Sequence, residues 1–207
     1  IILLAILLPL AGLAFIYSGV YNIAATEPHN PVTHWLIGAT VHRSIEVHSQ
    51  GLEAPALNNP QLIQTGFDHY REDCAGCHTA PGASISEFAQ GFYPKAPDLA
   101  EKALKMSSEQ LFWVIKHGIK MTAMPAWGPT HSNEEIWSIV AFVKQLPNVS
   151  AADYQRLENA ANPTATLETP ATNEPVPKQP SANNGETAED NLAPAYTDDP
   201  DNTELQP

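Results

Sequence analysis

The chain has 207 residues, of which 43% are hydrophobic and 16% charged, and its formal net charge is −13. That length holds one domain of ordinary size plus appendages. No basic stripe is present, which argues against a nucleic-acid partner, and the negative charge is uneven: residues 150–207 carry eleven acidic residues against only Arg156 and Lys178, so the rest of the chain is close to neutral.

Residues 1–26 contain no charged side chain. A bilayer-crossing helix needs about 20 apolar residues, and this stretch is long enough, with Tyr17 and Tyr21 near its end where interfacial aromatics belong. It is expected to be an N-terminal transmembrane helix. A cleaved signal peptide ending near Ile23-Ala24-Ala25 is the alternative. With no Met or basic flank at residue 1, the true start is expected to lie upstream. Either reading exports the rest of the chain.

Residues 27–60 read as a juxtamembrane linker and helix. Pro28 and Pro31 break the chain, and Thr33 is suited to cap a helix over 34–49, with Ile37, Val41 and Ile45 on one face. His34, His42, Arg43 and His48 lie on the other, either as a docking face or as solvated side chains. A loop over 51–60 comes next, then a helix over 61–73 whose buried side is Leu62, Gly66, Phe67 and Tyr70.

Ser107 with Gln110, and Ser132 with Glu135, form capping-box patterns that start helices running to about His117 and Leu146. Gly118 suits a helix stop, and Pro147 ends the second helix. Residues 150–207, with eight prolines from Pro163 to Pro207, bury too little apolar surface to offset ordering entropy and read as an acidic, disordered tail. No strand pattern or internal repeat is evident.

The helix over 61–73 leads into Cys74-Ala75-Gly76-Cys77-His78. This is the spacing of c-type haem attachment. Two thiols three residues apart can each add to a haem vinyl group, and the next residue then offers its imidazole to the iron. A zinc site would need further ligands at short range, and a thioredoxin-like pair would need a preceding strand. One covalent haem c is therefore expected, with His78 as the proximal ligand.

Candidates for the second ligand are Met106, Met121, Met124 and the other histidines. Met124 is the first choice. It lies in an aperiodic segment between two helices, and Pro125 restricts it to extended backbone. Met121 is the runner-up. A thioether ligand would close the iron and raise its potential.

Segment 61–149 resembles the class I type single-haem cytochromes c. The resemblance rests on CAGCH after a first helix, the GIKMTAMPA segment and the final SNEEIWSIVAFVKQL helix, and is nearest to bacterial membrane-anchored or periplasmic members. It implies an all-α fold wrapped around one haem, with the first helix packed on the last, so that Gly66 and Tyr70 meet the helix bearing Trp137 and Val140. It makes Cys74 and Cys77 the thioether donors, and His78 and Met124 the iron ligands. Pro97-Asp98-Leu99 matches a segment whose proline carbonyl accepts the proximal imidazole proton, although the stretch between His78 and Pro97 is longer than usual for the family. Lys95, Lys102, Lys105, Lys116 and Lys120 could form a basic docking ring or be ordinary solvated lysines.

The implied protein is not an enzyme. It is an electron carrier of a respiratory chain, tethered to the cytoplasmic membrane with its haem domain in the periplasm and served by redox protein partners, with no small-molecule substrate. The alternatives are a permanent haem subunit of a multisubunit dehydrogenase or reductase, and a haem enzyme or ligand sensor with an open iron site.

Overall fold

In the computed structural model, which describes residues 2–162, every regular element is a helix or a helical turn. α1 (Ile2–Ser18) is apolar on all sides and buries none of its residues. It corrects the expected transmembrane helix: among the described residues, no helix is long and apolar enough to cross a membrane. The uncharged stretch is longer than the helix it forms. Gly19 turns the chain at φ +64°, and Asn22 takes the amide of Ala24 in a side-chain turn at 2.9 Å. The seventeen described helical residues span roughly 25 Å, against about 30 Å for a hydrocarbon core.

α2 (Pro31–His48) starts three residues earlier than the sequence suggests. Asn30, not Thr33, is its cap, with Asn30 Oδ1 accepting from Thr33 N at 3.0 Å. Pro31 sits in the first turn, where its missing N–H costs nothing. At the other end His48 stacks on Trp113 with ring centroids 5.5 Å apart.

The core forms where α3 (Pro60–His69) crosses α8 (Asn133–Gln145). α3 continues as a π-helical turn over Tyr70–Cys74 and then as α4 (Ala75–His78). Short helices α5 (Glu87–Gln90) and α6 (Leu99–Lys105) lead into α7 (Ser108–His117). Both expected capping boxes form, Ser107 with Gln110 on α7 and Ser132 with Glu135 on α8. α8 contributes buried Ile136, Ile139, Val140, Phe142 and Val143, and α7 adds Leu111, Phe112 and Ile115. Trp137 stacks on Phe112 at 4.2 Å, and Lys144 Nζ reaches across to donate to the carbonyls of Ala103 and Met106 at the end of α6.

A one-turn 3-10 segment (Leu146–Asn148) ends α8, and α9 (Ala151–Ala161) comes after it. This helix lies where the sequence suggests disorder. A third capping box, Ser150 with Asp153, starts it, and Tyr154 is 2% exposed, edge-on to Phe67 at 5.5 Å and Tyr70 at 6.1 Å. The remainder of the expected disordered tail, 163–207, lies outside the described residues.

Tyr154 Oη is buried without a hydrogen-bond partner among the described residues, and burial pushes its hydroxyl up to about 12. An unpartnered buried hydroxyl costs about 1–3 kcal/mol. Tyr154→Phe is expected to raise stability by about 1 kcal/mol in urea denaturation. Because the folded pKa is raised, the stability contributed by the neutral phenol is full below pH 10 and is lost as pH rises toward 12. The variant should therefore also lose less stability across that window. A marked loss of stability at neutral pH would show that the hydroxyl is in use.

Candidate haem site

The CAGCH segment spans two local structures. Cys74 closes the π-turn and is buried, and Cys77 and His78 lie on α4, half-buried. Both thiols are free. Burial, then the charge of Asp73, pushes the Cys74 thiol up to about 12. Ser86 Oγ, the cap of α5, donates to the Gly76 carbonyl at 2.6 Å and ties the motif to the loop beyond it.

His78 Nδ1 lies 2.9 Å from the Pro97 carbonyl oxygen. A carbonyl can only accept, so Nδ1 carries the proton and Nε2 keeps its lone pair. Burial holds the His78 pKa below the usual histidine value, partly opposed by this bond. Burial thus favours the neutral form that a metal ion requires. Pro97 is held in turn by the start of α6, where Asp98 Oδ1 accepts from the amides of Ala100 and Glu101 at 2.8 and 3.3 Å. Leu99 begins that helix and packs on the core.

The structure therefore brings His78 to Pro97 and sets His78 and Leu99 on one cavity wall, whereas Cys74 and Cys77 are near only as chain neighbours of His78 and do not line that cavity. The cavity, of about 410 Å³, is lined by Tyr70, His78, Leu99, Leu146 and Val149, among others, and Met124 is not part of its wall.

Met124 comes from the loop after α7 and packs, half-buried, against the same core. The loop is fastened back on α7 by Ile119 N to Met124 O (3.2 Å), Trp127 N to Ile115 O (3.1 Å) and Gly128 N to Lys116 O (2.9 Å). Thr122 Oγ1 donates to the Ile119 carbonyl and accepts from Met124 N. Gly118 does more than stop the helix. It sits at φ +63°, and a Cβ there would lie 2.8 Å from Met124 O and 2.6 Å from Pro125 C. Met121, at φ +59°, is 99% exposed. The same loop thus turns one thioether to the core and the other to solvent, a distinction invisible in the residue spacing. Of the five lysines, Lys105 pairs with Glu101, and Lys116 bonds Asn133 and lies over the Phe112 ring.

These residues fit a covalent haem. Two free thiols precede a neutral imidazole whose Nδ1 is already occupied, and space is open at Gly76, where a Cβ would meet nothing within 4 Å.

Residues 61–143 match the family model described as cytochrome C oxidase, cbb3-type, subunit III. The matched segment begins within α3 and ends within α8, so it contains both cysteines, His78, Pro97 and Met124. The subunit FixP of the Cbb3-type cytochrome c oxidase of Rhizobium meliloti (strain 1021) is 30% identical over 92 residues, an alignment that covers 44% of this chain and 30% of the relative. The chain thus spans under a third of that relative's length. The two matches support a class I c-type cytochrome segment with a haem c electron-transfer role.

Proposed function

We propose that residues 61–149 would hold one covalent haem c through Cys74 and Cys77, with His78 and Met124 as the side chains that would bind its iron, and pass single electrons between protein partners. The observation that carries this reading is the His78–Pro97 bond at 2.9 Å beside two free thiols at haem-attachment spacing. A haem held there supplies the one-electron ferric/ferrous couple. The Pro97 carbonyl orients the His78 ring and strengthens its donor nitrogen. Gly118 and the bonds of the 119–128 loop hold Met124 in place, and the packed helices exclude water. If His78 and Met124 both held the iron, no position would be left for a substrate, and the domain would act as a carrier rather than as an enzyme.

Likeness to an oxidase subunit in both the family model and FixP favours work inside a multisubunit oxidase-type complex, with the haem domain on the periplasmic side, over a free carrier. The attachment reading is tested by intact-mass measurement of the chain produced alongside haem-attachment enzymes. One covalent haem per chain is expected, and its loss in Cys74→Ala with Cys77→Ala. A wild-type chain that stays unmodified under those conditions refutes the reading. Purification from native membranes with a stoichiometric oxidase partner supports the subunit role, and isolation as a lone chain supports the free carrier.

A further inference from the structure

We propose that His69, Asp73 and His131 form a binding site for a divalent transition-metal ion of the zinc class, separate from the haem ligands. His69 ends α3, Asp73 lies in the π-turn, and His131 immediately precedes the Ser132 cap of α8. The two histidines are far apart in sequence, and the fold brings them to one carboxylate. His131 Nε2 is 3.3 Å and His69 Nδ1 is 3.7 Å from the same Asp73 oxygen, and one donor atom from each of the three residues lies within 4.8 Å of the others. Zinc bound tetrahedrally at about 2.0–2.1 Å separates its ligand atoms by roughly 3.3–3.5 Å. Two of the three pairs are already close to that spacing.

The surroundings orient the donors. The Nδ1 of His131 lies 2.9 Å from Thr130 Oγ1, which leaves Nε2 facing Asp73. The His131 ring is held edge-on between Trp127 and His69, each 5.1 Å away. Glu135 Oε1 is 4.0 Å from His69 Nε2, on the nitrogen not used toward Asp73. A carboxylate behind a ligating histidine is a common way to fix its tautomer. The three side chains are only 12–25% exposed. Both imidazoles lie within ion-pair distance of Asp73, and a zinc-binding measurement decides between a plain ion-pair cluster and a metal site. Two imidazoles and one carboxylate suit zinc, copper or nickel over calcium or magnesium. Water would fill the fourth position.

The ion would clamp the π-turn to the start of α8, one residue before Cys74. π-bulges are frequent at functional sites, and here the turn places Asp73 toward His131 while Cys74 goes into the core.

The test uses the full chain carrying whatever haem it is made with, stripped by chelator and dialysed against Zn²⁺, with bound zinc measured by elemental analysis. One zinc per chain is expected, unaffected by excess Mg²⁺. Binding should weaken at least tenfold in His131→Ala and in Asp73→Asn, and be unchanged in His34→Ala with His42→Ala. Far-UV circular dichroism checks that each variant is folded, and His69→Gln replaces any that is not. Zinc should also raise the melting temperature of the wild type but not of the site variants. Absence of stoichiometric binding, or binding that survives loss of His131 and His69, overturns the proposal. Zinc taken up by free Cys74 and Cys77 in a haem-free chain would survive the His131 and Asp73 substitutions, so failure of the haem assignment is distinguishable from binding at this site.

Discussion

Met124→Ala is expected to abolish the near-infrared methionine-to-iron signature of the oxidised protein and to lower its reduction potential by on the order of 0.1 V, within the roughly 0.8 V range that axial ligation covers. A neutral thioether favours the reduced iron, so its removal stabilises the oxidised form. The vacated position should then admit carbon monoxide readily in the reduced state. Met121→Ala should change none of these quantities, because Met121 is almost wholly in solvent whereas Met124 packs on the core. Gly118→Ala is a harsher version of the same change, since its Cβ would displace the Met124 carbonyl. The assignment fails if Met124→Ala retains the near-infrared band and Met121→Ala loses it.

Gly66→Ala is expected to destabilise the protein by about 3 kcal/mol, at the upper end of ordinary overpacking penalties. The helices α3 and α8 approach closely here. A Cβ on Gly66 would fall 1.9 Å from the Ser138 carbonyl oxygen, 2.5 Å from its carbon and 3.0 Å from Phe142 Cβ. The first two neighbours are backbone, so no side-chain rotation relieves the clash. The helices would have to move apart, and the Phe67–Phe142 and Tyr70–Phe142 contacts would loosen with them. Set against a total of about 5–15 kcal/mol for a typical domain, and with a urea slope of about 1–3 kcal/mol/M, the unfolding midpoint should drop by more than about 1 M. A variant within about 0.5 kcal/mol of wild type would show that the crossing is looser than its geometry indicates.

Local chemistry was legible in the residue pattern. The capping boxes at Ser107 and Ser132 involve residues three apart and form as the pattern indicates. The all-helical character followed from the apolar stripe of α8, and the cysteine spacing carried the cofactor class. The long uncharged N-terminus misled because lack of charge does not make a continuous helix, and Gly19 and Asn22 end it early. α9 was hidden because a tail-like composition outweighed one buried ring and one short cap. The choice of Asn30 over Thr33 turned on Pro31, which is well placed in a first helical turn as well as in a linker. Relations between distant residues were not legible from spacing at all. Family likeness alone linked His78 to Pro97, and no signal linked His131 to His69 and Asp73, since their approach is produced by the α3–α8 crossing.

The aromatic cluster of Phe67, Tyr70, Phe142 and Tyr154 bears on where this domain stops. All the proposed haem-site residues precede Pro129, and the family likeness ends at residue 143. A chain cut after Val149 would keep every proposed haem-site residue yet strip one ring from the cluster and wet the faces of the other three. The boundary of the family likeness and that of the packed core are thus different places along the chain, and the core extends at least to Tyr154 on α9.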